Sequence, residues 1–190
     1  MPQESSAKAS RAIGAMFFAV FGALWLIGWC LLAYGVKLGI LALIAFVTII
    51  IFFASLQQYR RNRNTHAAEA NSPASKKSSR LFNIINASQW ILVFIVANVL
   101  SNLGHKEWII PSIILVVGLH FLPLARVFKY SRHYITGVAM ILVAVIYPLV
   151  SSAGPASSIG CFGAGIILWI SAVGALMSKL SSTSATTITK

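Results

Sequence analysis

Apolar residues in this 190-residue chain collect into six long runs: Ala12–Tyr34, Leu38–Leu56, Asn83–Leu103, Trp108–Phe128, Tyr134–Val150 and Ser157–Ser178. A spanning helix needs about 20 predominantly apolar residues, and these runs are near that length. None alternates apolar with polar positions. In lipid every backbone amide must be paired within its own segment or round a closed barrel, so unalternating runs of this length predict helices. The expected fold is all-α, a polytopic integral membrane bundle of about six transmembrane helices within residues 12–180. The turns Gly35–Lys37, Gly104–Glu107 and Ser151–Ala156 are short, which makes the helices on either side antiparallel neighbours. The stretch Gln57–Arg80 is polar and rich in Arg, Lys, Ser, Asn and Ala, and predicts a flexible basic loop over residues 57–82. Residues 1–11 are expected as a short tail, and residues 181–190, rich in Ser and Thr, as a disordered one.

Composition excludes several classes. Hydrophobic residues make up 58% of the chain and charged ones 9%, against roughly 25% charged in an ordinary soluble domain. Lys8 and Arg11 before the first run resemble the start of a secretory signal, but Ala12–Tyr34 exceeds a signal's apolar core of roughly 7–15 residues and is read as a retained first helix.

The formal charge of +12 matters through its distribution. With the N-terminus cytoplasmic, 13 of the 15 Lys and Arg residues fall on that side, and the opposite side keeps only Lys37 and Lys106. This bias predicts both termini inside and a plasma membrane or bacterial inner membrane location. An odd number of spans would break the alternation. The cations lie between apolar runs and no aromatic-basic groove accompanies them, so nucleic acid is not an expected partner. Arg60, Arg61, Arg63, Lys76, Lys77 and Arg80 are candidates to meet anionic lipid headgroups at the cytoplasmic face, at about 1 kcal/mol each near the surface.

Candidate chemistry is sparse. The three acids, Glu4, Glu69 and Glu107, fall in tails or loops, so no span carries a carboxylate for acid–base work or proton relay. The sequence has no Walker loop, HExxH, CxxC or GxSxG. No cofactor or metal is expected, and an enzyme is the lesser reading, resting on His105, His120 or Cys161. Polar positions within the spans remain. At ~100° per residue, Asn83, Asn86, Trp90, Phe94, Asn98, Ser101 and His105 share one face of the third span. That face either packs on neighbouring helices or lines a path. His120 sits three residues before Pro123, whose ring leaves the carbonyl of Leu119 unpaired; the imidazole or a water would satisfy that carbonyl, or else it serves a ligand.

A rise of ~1.5 Å per residue sorts these groups by depth. Asn98 and Tyr147 are expected in an outer polar layer, and Gln89, His120 and Ser171 in an inner one. The candidate binding residues are therefore Asn86, Gln89, Asn98, Ser101, His105, His120, Tyr147 and Ser171. Cys30 and Cys161 come out at one level, near enough to bond if their helices are neighbours, though cysteines in membrane helices mostly act as small hydrophobes. Gly160, Gly163, Ala164, Gly165, Ala172, Gly174 and Ala175 punctuate the sixth span and permit close approach, within the chain or in a homo-oligomer. The leading functional expectation is a small transporter or permeation protein for a neutral or anionic solute. The alternatives are a non-transporting scaffold, lipid-sensing or complex-assembly protein, and a membrane enzyme using a histidine.

Overall fold

The computed structural model describes residues 2–70, 73–128 and 130–177. Among these it is all-helical, without a strand, and six helices are long and apolar enough to cross a membrane. They are α1 (Pro2–Tyr34), α2 (Leu38–Ala70), α3 (Pro73–Asn102), α4 (Ile109–Val127), α5 (Arg132–Val150) and α6 (Ile159–Met177). Two single 3₁₀ turns, Lys106–Trp108 before α4 and Gly154–Ala156 before α6, complete the order. Gly35 and Gly104 close α1 and α3 with φ of +69° and +81°, a left-handed conformation that costs glycine nothing. After α3, His105 donates its backbone N–H to Leu100 at 2.9 Å, satisfying one of the helix's last carbonyls.

Two expectations need correction. Residues 2–11 are not a separate tail but the first turns of α1, where Ser6 and Ala9 are buried. Most of the basic stretch 57–82 is helical too, because α2 runs on to Ala70 and α3 begins at Pro73. Its Ala, Arg, Lys and Gln residues form helix readily, and the apolar run before it supplies a nucleus to extend. The tail 181–190 lies outside the described residues.

Close glycine contacts set the packing. A Cβ on Gly165 of α6 would stand 2.6 Å from Leu26 Cγ and 2.9 Å from the carbonyl oxygen of Gly22 on α1. Trp169 lies against Gly22, and its indole N–H donates to the carbonyl of Ala19 at 3.1 Å. A second crossing joins α4 to α5: a Cβ on Gly137 would stand 2.8 Å from the carbonyl oxygen of Gly118, and one on Gly118 3.0 Å from that of Gly137. Along the α5–α6 contact Gly160 lies against the ring of Tyr147 and Gly163 against Val143. Small residues are what let helices meet where burying apolar surface gives no advantage over lipid. The stripe on α6 is thus taken up within the chain, on α1 and α5.

These contacts put α6 at the centre, touching α1, α2, α4 and α5. Its buried residues, Gly160, Cys161, Ala164, Gly165, Leu168, Ala172 and Ala175, run down one side. Two helices sit at the margins. α2 packs extensively on α1, whereas α3 packs chiefly on α4 and scarcely touches α2. The outward surfaces are apolar, with Phe46, Ile91, Leu142 and Ile170 all exposed. So large an apolar surface marks contact with lipid or protein rather than water.

The glycine crossings make a direct prediction. Gly165→Val should destabilise the folded protein in detergent by about 1–3 kcal/mol through overpacking. Gly28→Ala, where nothing lies within 4 Å of the added Cβ, should be neutral or slightly stabilising. Thermal unfolding of both variants checks this; equal losses would show that the α1–α6 approach is not what limits stability.

Candidate functional site

Antiparallel succession gathers Lys8, Arg11, Arg60, Arg61, Arg63, Lys76, Lys77, Arg80, Arg126 and Arg132 at one end of the bundle. Contacts between elements confirm that they share this end. The Arg11 guanidinium lies 4.9 Å from the centre of the Tyr130 ring, Phe82 meets Phe128 at 5.8 Å, and Arg132 donates to the carbonyl of Gly174 at 2.7 Å. The last bond satisfies a carbonyl in the final turn of α6. Arg60 borders a shallow shelf formed with Phe53, Ala54, Leu56 and Gln57, and Arg61, Arg63, Lys76, Lys77 and Arg80 are all exposed.

The polar residues of the spans do not form two layers. Tyr147 donates its hydroxyl to the carbonyl of Pro155 at 3.2 Å and ties the end of α5 to the turn before α6. Ser171 donates to the carbonyl of Ile167 at 2.8 Å, and its oxygen lies 2.8 Å from the Thr136 hydroxyl, a polar pair between α5 and α6. Asn98 stays on its own helix, giving its amide N–H to the carbonyl of Phe94 at 2.8 Å. His105 faces outward beyond α3, with Nδ1 3.4 Å from Glu107 Oε1. Each points into a different contact, so azimuth separates groups that a count along the axis had put together.

The polar face of α3 divides in the same way. Asn86, Gln89 and Ser101 are half-buried with Phe82, Ile85, Val93 and Leu100, the side turned to α4. Asn83, Trp90, Phe94 and Asn98 are exposed, Phe94 by 69%. Among the described side chains of α3 none is buried. The exposed part of the face therefore neither packs against another helix of the chain nor lines an enclosed space within it.

His120 has a role that sequence reasoning placed differently. Its imidazole lies near the backbone of Ile85 on α3 and meets the ring of Phe121 edge-on at 5.6 Å. Its Nδ1 is buried and without a partner among the described residues. His120 thus sits where the marginal helix α3 meets α4. Beside it lies an aromatic cluster that centres on His133, a residue the sequence gave no reason to single out. The His133 ring stacks on Phe121 at 6.0 Å and meets Tyr130 at 5.1 Å, Phe18 at 5.8 Å and Phe128 at 6.3 Å edge-on. The Tyr130 hydroxyl is the second buried polar atom here without a partner among the described residues. Four rings round one imidazole, at the junction of α1, α4 and α5, are a contact of the tertiary fold with no local spacing to announce it.

Cys30 and Cys161 are both buried and both free. No group of three or more His, Cys, Asp or Glu suited to a metal stands among the described residues. Comparison with family models, with curated proteins and with solved structures gives no match for this chain.

If His120 holds α3, His120→Phe should weaken that contact by about 0.6–2 kcal/mol while leaving α1 and α6 unaffected. Hydrogen exchange over residues 82–93 should rise several-fold while exchange over residues 160–175 stays level. A uniform rise, or none, would remove His120 from this role.

Proposed function

We propose that the chain is a multi-pass membrane protein that works as a subunit of a larger assembly, with the exposed face of α3 as its association surface. The observation that carries this reading is the placement of Asn83, Trp90, Phe94 and Asn98 on the outside of a helix with none of its described side chains buried. Amides facing hydrocarbon are unfavourable, and they are relieved by hydrogen bonds across a helix–helix interface or by water. Trp and Phe beside them supply the apolar area that such an interface needs. With the basic end inside, both termini are cytoplasmic, in a plasma membrane or a bacterial inner membrane. Arg60, Arg61, Arg63, Lys76, Lys77 and Arg80 then meet the anionic leaflet.

Permeation is the second reading, and Asn86, Gln89 and Ser101 favour it, since they flank the exposed face and continue its polarity. On this reading a path for a neutral or anionic solute runs between copies along α3 rather than through one chain. An enzyme is less supported, because no second polar group partners the free nitrogen of His120 among the described residues.

Both readings are tested in a variant with Cys30 and Cys161 replaced by alanine. Single cysteines at Trp90, Phe94 and Asn98 should cross-link between chains in native membranes, while cysteines at Phe46 and Ile170 should not. A membrane-impermeant thiol reagent should label Asn86 and Ser101 positions if the interface holds water, and only the ends of α3 if it is dry. Absence of any α3 cross-link, to a second copy or to another protein, overturns the assembly reading.

A further inference from the structure

At the end of the bundle opposite the basic one, a depression of about 540 Å³ opens on the surface between α5 and α6. Its wall consists of Leu142, Val143, Ile146, Val150 and Ile159. Three serines, Ser151, Ser152 and Ser157, stand at its mouth in the turn between the two helices. Its floor is rigid. The Tyr147 ring lies against Gly160, and its hydroxyl is held by the carbonyl of Pro155. Behind it, Gly163 sits against Val143.

The dimensions point to an occupant. From Val150 to Leu142 the slot descends about 12 Å along α5 at ~1.5 Å per residue, close to one leaflet of a hydrocarbon core ~30 Å thick. It lies within two of the helices long enough to span a membrane, so on a protein in a bilayer it opens to lipid. An apolar slot at that depth is filled by an acyl chain, since a void there would forfeit its dispersion contacts.

The mouth limits the headgroup. The lining carries hydroxyls and no charge. The neighbouring 3₁₀ turn brings Lys106 and Glu107, which are of opposite sign. Hydroxyls hydrogen-bond the ester carbonyls and phosphate of a lipid without selecting for net negative charge.

We propose that this slot is a binding site for one acyl chain of a zwitterionic glycerophospholipid in the leaflet away from the basic end, with Ser151, Ser152 and Ser157 addressing its polar region. The site is separate from the α3 face and from the cationic end, and it differs from the anionic-lipid contact expected there.

The test uses the full-length protein in vesicles, with a trace of phosphatidylcholine or phosphatidylglycerol bearing a photoactivatable group on one acyl chain. Adducts are mapped by peptide mass spectrometry. Phosphatidylcholine should label Ile146, Val150 and Ile159 at least threefold more than the lipid-facing control positions Phe46 and Ile170. Phosphatidylglycerol should show no such enrichment. Ile146→Trp, which fills the slot from an exposed position, should abolish the enrichment, whereas Ile91→Trp on α3 should not. Replacing Ser151 and Ser152 together by alanine should lower it for phosphatidylcholine. Labelling spread evenly over all exposed helix faces would overturn the site. Enrichment of phosphatidylglycerol over phosphatidylcholine would overturn the headgroup assignment.

Discussion

The approach of α6 to α1 at Gly22 and Gly165 is the contact on which the rest of the arrangement depends. In a bilayer, lipid tails offer a helix the same apolar company that another helix does, so association relies on close packing and polar bonds rather than on escape from water. Two glycines facing one another bring backbones near enough for both, and the indole of Trp169 adds a hydrogen bond to Ala19 beside them. With α1 fixed on one side of α6, α5 settles on the other across Gly160 and Gly163, and α4 follows α5 through its own glycine pair. Three interfaces in series therefore use one device, the absence of a side chain.

Much of this was legible in the sequence. The apolar runs marked all six helices, the short turns marked antiparallel neighbours, and the basic residues marked one end. The small residues of α6 announced close approach, though nothing in the run named α1 and α5 as its partners. Depth along an axis could be counted, but the direction in which a side chain leaves the helix toward a given neighbour could not. That is why Asn98, Tyr147, Ser171 and His120, sorted into two levels, turn out to serve four unrelated contacts. His133 escaped notice because its significance comes from Phe18, Phe121, Phe128 and Tyr130 converging from α1, α4 and the turn after α4. The basic stretch was misread as flexible because polarity was taken for disorder, although its residues are good helix formers attached to a helix already nucleated.

The candidate surfaces separate by chemistry as well as by place. Amides and aromatics lie on α3, cations at one end, hydroxyls above an apolar slot at the other. Such a division suits a small membrane protein whose interior is occupied by packing. Ile114 and Met140 are fully buried at the α4–α5–α6 contact, and Phe121, Leu124 and Leu168 nearly so toward α1. Specific contacts are then made from the flanks.

The extension of α2 and α3 past their apolar runs has a mechanical side. α2 is joined to the bundle through its long contact with α1, while α3 is lightly held on α4. Pro73 lies about 18 Å along the helix from Ile85, the residue beside His120 of α4. The helix is continuous on either side of that contact, from Pro73 to Asn102. A displacement of α3 near its far end would be passed along it to the basic tip, beside an α2 held more firmly by α1.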